Sequence, residues 1–384
     1  MSLLISNPHN VDFNESAIKN VDFNATAVSW YTSRDAVRGE IGFCGQDESA
    51  IKYLHMPAST RVNFNLNRTH PGDKLQIEKY ADNKDISDLL SWVQVIGFEE
   101  DSFTKADFVC SRHDLLDLLL MPFSDQRFNK SVKLYLTKVN GKIYIRRMAS
   151  NTDKGQIVHM DDFSKQRTTH GLIFQHFMIS DSANKAPVPD KPFVRGDKTM
   201  YVVFESNVGK HQLLYASKVK ALDNPEDLLN LDGATFTDVR TNMGYSSADI
   251  RWRKWIEFWG NCLTGKLDKI AIGFVGKGRA IGTVKNLEVI QADKLIPKCE
   301  AAYKKDRFKT SDVIPKGEYC LDMLDKVLSF FKSELEGAKP DEVYEFEYTP
   351  SDSELANIKL LGSSNYDTLF VISKWYREWL DRQA

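Results

Sequence analysis

Hydrophobic and polar residues alternate along Val132-Lys-Leu-Tyr-Leu136 and again along Lys142-Ile-Tyr-Ile145, with Asn140-Gly141 between them. Period-2 alternation around Asn-Gly predicts a β-hairpin closed by a type I′ turn. A second hairpin is predicted from Met200-Tyr-Val-Val-Phe204 and Gln212-Leu-Leu-Tyr-Ala216, which flank Asn207-Val-Gly209. Phe236 to Thr241 reads as a strand close behind, and Lys269 to Val275 with Ala280 to Leu287 as a further hairpin. Ile51 to Pro57 and Val62 to Leu66 read as extended segments. Helical spacing marks Lys84 to Val95, His113 to Leu120 (stopped by Pro122), Gln166 to Ile179, Ala248 to Leu263, Leu321 to Glu336 and Tyr366 to Arg382. In Ala248 to Leu263, Trp252, Trp255, Ile256 and Trp259 fall at i, i+3, i+4 and i+7, the spacing of a core-facing stripe, while Arg251, Arg253 and Lys254 lie on other faces. The prolines of Ala186 to Pro192 predict a loop, and the acidic stretch from Asp341 to Glu354 reads as a linker.

Hairpins interleaved with helices, and no break in composition, predict one α+β domain with a mixed, largely antiparallel twisted sheet flanked by helices. Residues 1–28 read as an N-terminal arm, because Asn10-Val-Asp-Phe-Asn14 recurs as Asn20-Val-Asp-Phe-Asn24, too few copies for a solenoid. Residues 29–384 form the domain.

The 384 residues are enough for a large core. At 42% hydrophobic and 27% charged the composition is that of a soluble globular protein. A net charge of −2 means that any nucleic-acid binding must use a local patch. Met1-Ser-Leu-Leu-Ile-Ser has too short an apolar run for a signal peptide, and no run approaches the ~18 residues of a membrane span. Cys44, Cys110, Cys262, Cys299 and Cys320 are odd in number and widely spaced, which argues for a reducing compartment and against a disulfide framework or a cysteine zinc site. Gly276-Lys-Gly278-Arg-Ala-Ile-Gly282 has the wrong spacing for a nucleotide loop and joins two strands, so it reads as a turn.

The candidate chemistry lies between Gly171 and Cys262. Residues i and i+2 of a strand share a face, so Lys218 and Lys220 should stand side by side, as should Asp238 and Arg240. With carboxylates at three of those places and at 175, such a set would hold divalent metal. This chain has Gln175, Lys218, Lys220 and Asp238 instead.

The order of these strings resembles the decapping exoribonuclease (DXO) family, which removes aberrant caps from RNA 5′ ends and degrades RNA from that end. The likeness runs from about Ile51 to the last helix. Ala106-Asp-Phe-Val-Cys-Ser-Arg112 is similar to the first family motif, with Arg112 on its arginine. Gly171-Leu-Ile-Phe-Gln175 is similar to the second, with Gln175 where the family has a metal-binding glutamate. Lys218-Val-Lys220 falls on Glu-x-Asp, Asp238-Val-Arg240 on Glu-x-Lys, and Asn261 where the family has a glutamine near the scissile phosphate. The resemblance implies a DXO-like fold, and within the family the pattern of losses resembles a germline member. That implies a nuclear, chromatin-associated protein acting with Deadlock and Rhino on transcripts that feed small silencing RNAs.

Two-metal hydrolysis needs carboxylates to hold the ions. The four family positions here carry one positive charge in place of four negative ones, and a protonated lysine has no lone pair to give. The expectation is a catalytically inactive member with no metal and no cofactor. His170, His176 and Asp181 are close to Gln175 in sequence, but neighbouring helical side chains point about 100° apart, which disfavours a rescued site. Two readings of the cations stay open. Arg112, Lys218, Lys220, Arg240 and Asn261 could contact the phosphates of an RNA 5′ end, or a Lys–Asp238 ion pair could plug a pocket that binds nothing. The corresponding functions are shielding of RNA ends and protein–protein docking alone; an active hydrolase with a rearranged site is the third.

Overall fold

The computed structural model describes residues 2–5, 18–34, 42–67, 86–123, 132–147, 162–190, 198–234, 236–276, 282–306, 314–339, 342–349, 356–365 and 371–383. Fifteen strands and eight α-helices are found among them. The strands are β1 (Ser2–Ile5), β2 (Phe23–Arg34), β3 (Tyr53–Leu54), β4 (Arg61–Asn65), β5 (Phe108–Ser111), β6 (Val132–Val139), β7 (Lys142–Arg147), β8 (Ile179–Ser180), β9 (Lys198–Val208), β10 (His211–Lys218), β11 (Phe236–Met243), β12 (Leu267–Val275), β13 (Thr283–Gln291), β14 (Glu342–Thr349) and β15 (Ala356–Asn365). The helices are α1 (Ser87–Trp92), α2 (Asp101–Lys105), α3 (Arg112–Leu119), α4 (Asp162–Met178), α5 (Trp252–Gly265), α6 (Leu295–Lys305), α7 (Gly317–Glu334) and α8 (Lys374–Gln383).

The strands form a nine-stranded sheet in the order β1-β15-β14-β6-β7-β5-β10-β9-β2, a four-stranded sheet β11-β12-β13-β4, and the short pair β3-β8. Most pairs are antiparallel; β5 runs parallel to both β7 and β10, and β11 parallel to β12. This is the mixed, mostly antiparallel α+β architecture that the patterning predicts. The β6–β7 hairpin turns on Asn140 and Gly141, both at positive φ (50° and 80°), as a type I′ turn requires.

The central strands are buried on both faces, and their alternation sorts side chains into two cores. Phe108, Cys110, Leu213 and Tyr215 point toward α3, α5 and α7, while Val109, Tyr144 and Leu214 point toward α1, α2 and α8. The small sheet repeats the device. Ile270 and Ile272 join the first core, and Val239, Ala271 and Val275 pack on Ile173, Phe174 and Met178 of α4. On α5, Trp252, Trp255 and Ile256 are buried, and Trp259 packs half-buried against the same core.

Several elements depart from their predicted form. The acidic linker over Asp341 to Glu354 is a strand where it is described: β14 lies between β6 and β15 and buries Val343, Phe346 and Tyr348. Tyr344, Phe346 and Tyr348 alternate with Glu345 and Glu347 and face the first core, while Val343, on the face of those acids, joins the second, so charge content hid a period-2 pattern. Phe236 to Thr241 follows the β9–β10 hairpin in sequence but founds the second sheet. Helix α6 is absent from the predicted set, and α8 starts at Lys374 rather than Tyr366. Of the stretch read as an N-terminal arm, Ser2–Ile5 pairs with β15, and β2 begins at Phe23 and pairs along β9. The first repeat copy, Lys84, and most of the Gly276 to Gly282 turn lie outside the described residues. Among the described residues no helix is long and apolar enough to cross a membrane, and the five cysteines are free thiols, four of them buried.

Candidate anion-binding site

Four elements converge where the two sheets meet. β5 ends at Ser111, whose hydroxyl caps α3 by accepting from Asp114 N (3.1 Å). Arg112 is therefore the first residue of α3, at its base beside β10. β10 ends at Lys218, and Val219 N still bonds to Met200 O (3.0 Å), so the extended course continues to Lys220. The chain then crosses to the small sheet through a bridge between Leu222 and Phe236. On β11, Val239 faces α4, so period 2 turns Asp238 and Arg240 the other way, toward α3 and α5. Asn261 arrives from α5, one residue after Gly260. A Cβ on Gly260 would stand 2.7 Å from Leu116 Cδ1 of α3, so glycine is what lets these two helices approach closely enough for Arg112 to reach Asn261.

Asp238 is the hub and is only 5% exposed. Its Oδ1 lies 2.7 Å from Lys220 Nζ and accepts from Val239 N (2.9 Å). Its Oδ2 accepts from Arg240 Nε (2.5 Å). Lys220 also donates to the carbonyl of Val239 (2.6 Å). Arg240 Nη2 donates to Asn261 Oδ1 (3.2 Å), and Arg112 Nη1 donates to that same oxygen (2.7 Å). The Asn261 amide nitrogen donates to Glu257 O one turn back (2.7 Å). Arg112 Nε is buried and has no hydrogen-bond partner.

Burial alone would raise the Asp238 carboxyl, but Lys220 and Arg240 outweigh it by charge and hydrogen bond and hold it well below the usual carboxylate range. Burial pushes Lys220 down to about 8, with the Arg240 and Lys218 charges adding to the effect against the pull of Asp238. Arg112 is lowered first by burial and then by the charge of Arg240. Among the described residues the Asp238 carboxylate thus has Lys220 and Arg240 on its oxygens with Arg112 and Lys218 nearby, and like-charge repulsion is felt at Arg112 and Lys220. Cations grouped in this way are able to take hydrogen bonds and charge from an anion.

The structure brings together Arg112, Lys220, Asp238, Arg240 and Asn261. Lys218 stands exposed at the end of β10, near enough for its charge to depress Lys220. Asn261 was expected to face RNA; it is 3% exposed, and both ends of its amide are used inside the protein. Gln175 does not join the network. Gly171, one turn before it, lies against Thr241 on the opposite face of β11, and the Gln175 amide folds back to the Gly171 carbonyl (3.3 Å). The site also depends on the backbone of Val239 and the carbonyl of Glu257. No side-chain motif could have signalled these, since every residue carries the same groups.

The profile of the RAI1-like PD-(D/E)XK nuclease family matches residues 33–377. The chain belongs to this family. Solved family structures share its fold. Scheffersomyces stipitis Rai1, in complex with (3'-NADP)+ and calcium ion, superposes with a TM-score of 0.74 at 14% identity, covering 100% of this chain and 98% of that one. Candida albicans Rai1, in complex with pU5-Mn2+, gives 0.73 at 14% identity with both chains fully covered. K. lactis Dxo1, in complex with manganese, gives 0.59 at 12% identity, covering 94% and 98%. No curated protein matches the chain in sequence.

A divalent ion of the kind named with those family structures needs oxygen ligands with free lone pairs. Here both Asp238 oxygens are engaged by cations, and Lys218 and Lys220 bring ammoniums. Among the described residues no three His, Cys, Asp or Glu side chains are grouped to hold a metal. The donor set around Asp238 does not fit a divalent cation.

Proposed function

We propose that this chain is a family member that has exchanged metal-dependent cleavage for anion binding, and that it binds or shields RNA 5′ ends. The carrying observation is the grip of Lys220 and Arg240 on Asp238, with Arg112 and Lys218 adjoining; of these, the resemblance assigns 218, 220 and 238 to metal-binding acids, 240 to a lysine and 112 to an arginine. Lysine and arginine there would neutralise a phosphate without activating water. Candida albicans Rai1 is described in complex with pU5-Mn2+, which supports an RNA end as the occupant. The pattern of replaced acids resembles that of Cutoff, a germline protein of flies. On that likeness the setting is a nuclear, chromatin-bound complex with Deadlock and Rhino, in which a shielded end would oppose decapping, termination and processing of piRNA precursors. The self-contained ion pairs of Asp238 favour a second reading, a protein–protein adaptor whose former site is plugged.

The two readings separate in filter binding of 5′-monophosphate RNA against salt, with wild type and the Lys218→Glu/Lys220→Asp variant. Shielding predicts weaker binding and a shallower salt dependence for the variant; equal affinities and slopes leave the adaptor. Hydrolysis assays with Mg²⁺ or Mn²⁺ are expected to show no turnover. Turnover lost in Asp238→Ala would overturn the loss of cleavage.

A further inference from the structure

We infer that Asn261 is a positioning residue, a neutral clamp that seats two guanidiniums on one oxygen without adding a negative charge of its own to the site. The inference rests on the anion-site reading above and gives Asn261 a role that does not involve touching RNA.

Three features of the geometry carry it. Asn261 Oδ1 accepts from Arg112 Nη1 at 2.7 Å and from Arg240 Nη2 at 3.2 Å, so two cations from different elements, α3 and β11, converge on a single atom. The amide cannot be the other way round: guanidinium groups only donate, and the Glu257 carbonyl opposite only accepts. That bond to Glu257, within the buried helix α5, fixes the side chain so that its oxygen faces the arginines. Finally, the acceptor is an amide and not a carboxylate. A carboxylate would attract both arginines more strongly but would cancel one of their charges. An amide supplies the hydrogen bonds and leaves the field.

Arg112 and Arg240 repel one another, as the lowering of Arg112 by Arg240 reflects. Without a shared acceptor they would separate. Held by it, they present guanidinium edges from two sides of one point, which suits a tetrahedral phosphate taking hydrogen bonds from both. Arg112 Nε, buried and without a partner, is a donor left over on the same group.

Two measurements test the clamp. In the first, Asn261→Leu removes the shared acceptor in wild type and in an Arg112→Met/Arg240→Met background, and urea midpoints are compared. The clamp predicts a clear drop in wild type and a much smaller one where there is nothing to hold. Equal drops in both backgrounds overturn it, whether or not the protein binds RNA. In the second, Asn261→Asp keeps shape and acceptor but adds a negative charge. Affinity for a 5′-phosphorylated RNA should fall at least about tenfold, with a salt slope lower by roughly 0.7, one single-strand phosphate equivalent. The thermal midpoint of this variant should not track that loss. Wild-type affinity and slope in Asn261→Asp overturn the neutral-clamp role. A wild-type protein that binds no RNA at any salt removes the anion-site reading, and the role of Asn261 toward the arginines is then decided by the urea comparison alone.

Discussion

Replacing Asp238 by Asn is the most informative single perturbation of the site. The carboxylate is 5% exposed, and its two oxygens take Lys220 at 2.7 Å and Arg240 at 2.5 Å. Asparagine keeps the volume and one acceptor but removes the negative charge that Lys220 and Arg240 share. Removing one partner of a buried ion pair costs about 3–5 kcal/mol. The lower end, about 3 kcal/mol, is expected because the Arg240 side chain is 30% exposed and can turn to water. The same change adds one net positive charge, so phosphate should bind the variant more tightly than wild type. Bound ligand stabilises by RT ln(1 + [L]/Kd), so each tenfold gain in affinity closes the gap to wild type by about 1.4 kcal/mol at saturating phosphate. Urea unfolding with and without phosphate reads both numbers. Asp238→Asn as stable as wild type would refute the hub role of the carboxylate. A stability gap that phosphate leaves unchanged would refute the anion site.

Anion affinity should be full below pH 8 and fall as pH rises through about 8, where Lys220 loses its proton; Lys220→Arg should abolish that step in a binding titration from pH 6.5 to 9.5. Because the folded value lies below the unfolded one of about 10.4, stability itself should rise between those pH values, where only the unfolded chain holds the proton. Gly260→Ala should cost about 1–3 kcal/mol and weaken phosphate binding together, since the new methyl drives α5 from Leu116 of α3 and separates Asn261 from Arg112; thermal melts and binding check both. Asp114 is fully buried, with the Ser111 hydroxyl and Arg147 N as its donors among the described residues, and burial raises it to about 7. A raised carboxyl stabilises the fold fully below its unfolded value near 3.9 and loses this as pH rises through 7, so Asp114→Asn should gain on wild type by about 4 kcal/mol from pH 4 to pH 8 in urea midpoints.

Much of the fold was legible from local pattern alone. Alternation around Asn140-Gly141 fixed a hairpin and its turn, because strand period and positive φ are decided within a few residues. The Trp252, Trp255, Ile256 stripe marked the buried face of α5 for the same reason. The i, i+2 rule correctly put Asp238 and Arg240 on one face, since Val239 between them must face the other. Pattern could not say which sheet β11 joins, nor that β14 is a strand, because strand partners are chosen by long-range pairing and its acids masked the alternation. The site divided likewise. The residue types at 218, 220, 238 and 240 declared three cations grouped with one acid. Only the tertiary structure decided that Gln175 lies off the network, that Lys220 takes Asp238 while Lys218 stays exposed, and that Asn261 turns inward to two arginines. Those outcomes depend on which face of β11 each helix covers and on how closely Gly260 lets α5 approach α3, distances set by packing between elements far apart in the chain.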